Sequence, residues 1–125
     1  MIAADTSAMV AFLSADSADR HLDLIAGAMA NAELALPPVV LSELLSSSAS
    51  DRSVDHDLAR IPLLSLTEGY WQRAGLSRRR LLRLGLKAKM ADALIAQSCI
   101  DNDVPLITRD GDFRHFAKHC GLKLA

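Results

Sequence analysis

Aromatic side chains are scarce in this chain: 4% of its 125 residues, namely three Phe, one Tyr and one Trp. An aliphatic core follows. Only two cysteines occur, Cys99 and Cys120, with no CxxC pair and no further candidate ligand at metal-binding spacing. That argues against a thiolate metal site or a disulfide framework and leaves both thiols as small buried hydrophobes. The four histidines, His21, His56, His115 and His119, are scattered and fall in no metal pattern. No run reaches the ~20 apolar residues of a membrane span; the longest, around Ala28 to Leu45, is broken by Asn31, Glu33, Pro37, Pro38 and Glu43. The first residues lack a basic segment ahead of their apolar stretch, and Asp5 interrupts that stretch, so no signal peptide is expected. A soluble, cytoplasmic protein with no membrane contact is expected. There is no glycine-rich phosphate loop, internal repeat or heptad seam. Excess charge is lacking too: 14 Lys plus Arg face 15 Asp plus Glu, a net −1, so local clusters must identify any partner.

What remains is a chain that is 50% hydrophobic and 23% charged, the balance of a globular protein. Its length suits one domain, residues 1–125, that buries roughly two thirds of its unfolded surface. Met1 to Ala4 reads as a buried strand ending at Asp5. Thr6 is the expected cap of a helix that places Ala8, Met9, Phe12 and Leu13 on one face. A second helix, from Ser17 or Ala18 to Asn31, faces the core with Leu22, Ile25, Ala26 and Met29. Glu33 to Leu36 is a short strand stopped by Pro37-Pro38, which opens a helix to about Ser46. The Ser46-Ser47-Ser48-Ala49-Ser50 run marks a helix end and turn rather than a linker. Val54 to Ile61 reads as helix and Leu63 to Leu66 as strand, followed by a long helix opened by Thr67-Glu68. That helix carries Tyr70, Trp71, Ala74, Leu81 and Leu82 as core candidates and a polar face of arginines, Arg73 among them. Lys89 to Asn102 is the strongest helical segment. Val104 to Thr108 is a strand, Asp110-Gly111-Asp112 a turn, Phe113 to His119 a helix, and Leu122 to Leu124 a final edge strand. Alternation of about five strands with helices predicts an α/β fold, a mainly parallel central sheet covered on both faces.

In such a sheet the carboxyl ends of strands and the amino ends of helices share one rim, where ligands bind. Asp5 ends the first strand, Asp92 begins a helix, and Asp110 and Asp112 follow the strand that ends at Thr108. Glu43 interrupts an apolar helix and joins them if that helix leans over the rim. Taken singly, each acid also reads as a cap, a turn residue or a solvated charge. Together they repel: at an effective dielectric of ~20 each close ionised pair costs a few kcal/mol. A cation is therefore expected among them, and an all-oxygen donor set selects a hard one, Mg²⁺ or Mn²⁺. Such a site suits metal-assisted phosphodiester hydrolysis.

The blocks Asp5-Thr6-Ser7, Ser42-Glu43-Leu44-Leu45, Ala91-Asp92-Ala93-Leu94-Ile95-Ala96 and Thr108-Arg109-Asp110-Gly111-Asp112-Phe113, in this order, resemble the PIN-domain family. More narrowly, the chain is similar to the VapC toxins of toxin–antitoxin pairs. The resemblance spans the whole chain. It implies a PIN-like fold, an Mg²⁺- or Mn²⁺-dependent endoribonuclease acting on RNA, a VapB-like antitoxin and a homodimer. By position, Asp5, Glu43 and Asp92 match the family's most dependable metal-site acids; the fourth is Asp110 or Asp112, with Asp110 favoured as nearer the strand end. Thr6, Ser7 and Thr108 are then hydroxyl partners of the acids, or structural caps. Arg78, Arg79, Arg80, Arg83, Lys87 and Lys89 form the densest basic cluster and are candidate RNA-phosphate contacts. Arg109, between the acids, either neutralises them or touches substrate. Three alternatives stand beside this reading, one of them a phosphatase of the haloacid dehalogenase type, which would need Asp-x-Asp at the first strand where this chain has Ser7. A PIN-like module could bind RNA or protein without catalysis. A phosphoacceptor receiver domain would need an acidic pair at the first strand and a lysine after a late strand, where this chain has Asp5-Thr6-Ser7 and Thr108-Arg109-Asp110.

Overall fold

The computed structural model describes residues 1–14, 19–47 and 51–125. Its sheet is parallel: β1 (Ile2–Ala4) lies between β2 (Leu34–Ala35) and β3 (Leu106–Ile107). Ala3 pairs with Ala35 on one side and Leu106 on the other. Alanines serve here because both faces of β1 are covered: Ala3 and Ala4 are fully buried, and small side chains let the flanking helices approach. The expected strands at Leu63–Leu66 and Leu122–Leu124 shrink to single parallel bridges, Leu36 with Leu63 and Leu106 with Leu124. Pro37, Pro62 and Pro105 sit beside these bridges and have no N–H with which to lengthen a ladder.

Helices α1 (Thr6–Ser14), α2 (Arg20–Ala30) and α3 (Pro38–Leu45) pack as one group, α1 touching both others. After the short α4 (Arg52–Leu58), α5 (Tyr70–Arg83), α6 (Met90–Asn102) and α7 (Phe113–Cys120) pack on one another, and α3 joins the groups by touching α6. The core is mostly aliphatic, built around Met9, Ile25, Leu36, Leu81, Leu106 and Ile107, but it also takes Phe113, Phe116 and Tyr70. The Tyr70 hydroxyl keeps a partner by donating to the Leu94 carbonyl at 2.6 Å.

Several expectations change. The cap of α1 is Asp5, whose carboxylate accepts from the Ala8 N–H at 2.8 Å, not Thr6. The expected start of α2 at Ser17 or Ala18 lies outside the described residues; the described helix is capped by Asp19, which accepts from the Leu22 N–H. Helix α3 ends at Leu45 as the serine run begins, and residues 48–50 lie outside the described residues. Helix α5 starts at Tyr70 rather than Thr67, because Gly69 turns left-handed at φ 82° and the Thr67 hydroxyl instead accepts from Arg73. Trp71 is no core anchor: it is 64% exposed and makes an edge-to-face contact on Tyr70 at 5.0 Å. Leu13, Ala26, Met29 and Leu82 likewise face solvent.

Candidate metal and active site

Asp5 is held by backbone on both sides. Its N–H donates to Ile107 of β3 at 3.0 Å and its carbonyl accepts from Met9 in α1, so strand and helix meet at this residue. The residue is 2% exposed. Ser7 Oγ lies 2.8 and 2.9 Å from its two oxygens, Ala8 N–H donates to Oδ1, and Thr108 Oγ1 donates to Oδ2. Three donors, the Ser7 and Thr108 hydroxyls and the Ala8 N–H, thus meet about four lone-pair directions of the carboxylate. Burial raises the Asp5 pKa, the donors from Thr108, Ala8 and Ser7 oppose that rise, and the charge of Asp110 adds to it. The hydroxyls at Ser7 and Thr108 therefore do hold the acid. They also fix the loop beyond β3: Ser7 Oγ accepts from the Arg109 N–H and Thr108 Oγ1 from the Asp110 N–H.

Asp92 is the third residue of α6, where the helix N-terminus favours a negative charge. Its Oδ2 is buried and has no hydrogen-bond partner. Burial raises its pKa to about 6, with Asp110, Asp112 and Asp5 adding and Lys89 opposing. The turn after β3 brings the next two acids up to it. Asp110 Oδ1 accepts from the Asp112 N–H at 2.9 Å, which closes the turn before α7. One carboxylate oxygen each from Asp92, Asp110 and Asp112 lie within 4.8 Å of one another. Both Asp110 and Asp112 reach Asp92, so this geometry does not separate them.

Glu43 stands apart from this trio. It is exposed on α3, not sunk in apolar surroundings as its neighbours suggested, and it accepts from Thr6 Oγ1 at 2.6 Å. Thr6 follows Asp5 in the chain, so Glu43 approaches the rim from the Asp5 side.

The basic candidates separate into groups. Lys87 Nζ pairs with Asp112 Oδ2 at 3.3 Å, and the charge of Lys89 acts on Asp92, so both belong to the acidic rim. Arg109 pairs with Asp19 at 3.1 Å. Arg78 ties the second half of α5 to the segment before α6 by donating to the Ala88 carbonyl at 2.8 Å. Arg79 and Arg80 are exposed on α5. The polar cluster that sequence reasoning missed is Arg73 with Asp101. Arg73 reaches both Asp101 oxygens, Gln97 donates to Asp101, and Ser77 donates to Gln97, pinning α5 to α6. Its one sequence signal is helical spacing, Gln97 to Asp101 and Arg73 to Ser77 each being four residues apart.

The residues fit a hard divalent cation. Three carboxylates, an all-oxygen donor set and a buried oxygen with no partner are what such an ion resolves.

A family model for the PIN domain matches residues 2–119. The chain belongs to the PIN domain family. Among solved structures, this PIN domain superposes on a chain from VapBC2 of Rickettsia felis bound to a DNA fragment from their promoter. The TM-score is 0.74 and the identity 23%, over 100% of this chain and 98% of that one. At that identity the likeness speaks for the fold. No curated protein sequence matches the chain.

Proposed function

We propose that this PIN domain is an Mg²⁺- or Mn²⁺-dependent endoribonuclease, the toxin of a VapBC-type pair whose partner is a VapB-like antitoxin. The observation that carries the reading is the carboxylate trio of Asp92, Asp110 and Asp112, one oxygen of each within 4.8 Å of the others, in which the buried Asp92 Oδ2 has no hydrogen-bond partner. Asp92, Asp110 and Asp112 would hold the ion, with Asp5 and Glu43 completing the acidic rim. When bound, the ion would lower the pKa of a water and stabilise charge on the phosphodiester. The chain's own residues supply the rest. Thr108 and Ser7 fix the Asp5 carboxylate, and the Asp112 N–H bond to Asp110 closes the turn that carries two of the trio. Lys87 pairs with Asp112 on the rim and would turn to a substrate phosphate once the ion takes that carboxylate. The antitoxin and the homodimer are supported by exposed apolar residues on α1 and α3, Val10, Leu13 and Leu45.

Cleavage of a labelled RNA with added Mg²⁺ or Mn²⁺ is expected for the wild type, and a loss on the order of a hundredfold or more for Asp92→Asn and Asp5→Asn. Divalent ion should also raise the melting temperature of the wild type and leave Asp92→Asn unmoved. Full cleavage by both variants would sink the site assignment. RNA binding without cleavage by the wild type would favour a non-catalytic module.

A further inference from the structure

Helices α5 and α7 contain no Asp or Glu, and in the chain the whole stretch 69–91 is free of acids in a protein whose net charge is −1. Where these helices adjoin, they form a hollow of about 440 Å³ lined by Leu76, Arg79, Arg80, Arg83, Leu84 and His119. Leu76, Arg79, Arg80 and Arg83 follow helical spacing and so share one face of α5. All three arginines are exposed, and no ion pair among the described residues involves them. This sets them apart from Arg73, Arg109 and Lys87, whose charges are met by carboxylates.

We infer that this hollow is a second RNA contact, separate from the acidic rim, in which Arg79, Arg80 and Arg83 grip phosphates of the strand flanking the cleaved bond. The inference takes its ligand from the ribonuclease reading above. Charge complementarity decides the occupant. Three planar guanidiniums without carboxylate partners match phosphate oxygens through paired N–H donors, and a polyanion presents several phosphates along one line. Leu76 and Leu84, each about half exposed, offer apolar contact to a sugar or base face without preference for any base. Position is also suitable. The nine residues of chain from Arg83 to Asp92 span at most about 30 Å, and the Arg78 bond to Ala88 folds that segment back. One strand can therefore reach both places, and the two differ in chemistry: the rim is acidic and takes phosphate through a cation, the hollow takes it directly.

The test compares Asp92→Asn, used as a non-cleaving parent, with the same chain carrying Arg79→Gln, Arg80→Gln and Arg83→Gln. Binding of a labelled single-stranded RNA is followed by fluorescence anisotropy across a salt series. Removing three single-strand phosphate contacts should weaken binding at least about tenfold and flatten the slope of log K against log salt by about 2. The corresponding Arg→Lys set should keep the slope, which a merely structural role for the arginines would not predict. Unchanged melting temperatures identify any loss as binding rather than folding. The inference is overturned if affinity and slope of the Gln set equal those of the parent, or if the parent binds no RNA. It is equally overturned if the Gln set keeps its RNA binding and loses only an acidic protein partner. A wild type that binds RNA through the hollow yet never cleaves it would remove the nuclease reading and leave this one standing.

Discussion

At the residue scale, Asp92 makes the acidic rim costly without a cation. Its pKa is about 6 in the fold against an ordinary 3.8, because burial and three neighbouring acids disfavour its charge. Between those values the folded chain holds a proton that the unfolded chain has released. The stabilising contribution is therefore full below about pH 4 and is lost as pH rises through about 6. A shift of this size corresponds to at most about 3 kcal/mol, and solvent screening of a half-open group reduces that to on the order of 1 kcal/mol. Asp92→Asn should then melt about 3–5 °C above the wild type at neutral pH in EDTA, with the difference closing toward pH 4. Thermal unfolding at several pH values checks it, and a variant that melts at or below the wild type at neutral pH would refute it. Added divalent ion should reverse the order, since ligand carboxylates must be ionised to bind it. The acids themselves were legible in the sequence because strand ends and helix starts share a rim in any parallel sheet. Their relative standing was not. Glu43 looked buried from its neighbours in sequence, yet a helix of eight residues has an outward side, and Glu43 is on it. Nor could Arg109 be assigned, because its partner Asp19 is ninety residues away in the chain.

At the scale of elements, the long periodic helices could be read to within a few residues, whereas the short strands and one helix start could not. Thr67-Glu68 looks like a cap followed by a first-turn acid, but a left-handed Gly69 begins α5 and Thr67 accepts from Arg73 instead. The same arginine leads to the main element-scale prediction. Burial works to raise the Asp101 pKa, but hydrogen bonds from Arg73 and Gln97 and the charge of Arg73 outweigh it and hold the carboxyl below its ordinary range. Asp101 is 8% exposed while Arg73 is 40% exposed, so losing the acid strands a cation that water can partly reach. Asp101→Ala should cost about 2 kcal/mol by urea unfolding at neutral pH, less than the 3–5 kcal/mol of a fully buried pair. The wild-type advantage is present above about pH 4 and is lost as pH falls through the lowered pKa of Asp101. Arg73→Lys should recover little of it, because one ammonium cannot reach both Asp101 oxygens, Thr67 and the Glu68 carbonyl as the guanidinium does. Equal stability of Asp101→Ala and wild type at neutral pH would show the network to be incidental.

At the scale of the molecule, the surface is divided by chemistry. The α5 and α7 side is basic, the rim at the carboxyl ends of β1 and β3 is acidic, and α1 with α3 carries a single charge, Glu43, across both helices. The last of these faces is the one suited to protein contact. Val10 is 51%, Leu13 42% and Leu45 46% exposed on two helices that touch each other, and depletion of charge is the mark of an interface core. The exposed leucines of α5 are instead interleaved with Arg79, Arg80 and Arg83, which opposes burial against another copy of the same basic face. A homodimer through α1 and α3 is therefore expected, with light scattering giving about twice the chain mass of 13.5 kDa at micromolar concentration. Val10→Glu combined with Leu45→Glu should return the mass to that of one chain. Because both side chains are exposed, neither substitution should change the stability of the single chain by more than about 0.5 kcal/mol, so a fall in mass reads as lost association. A wild type that scatters as a single chain would remove this interface, and a double variant that stays dimeric would move it to another face.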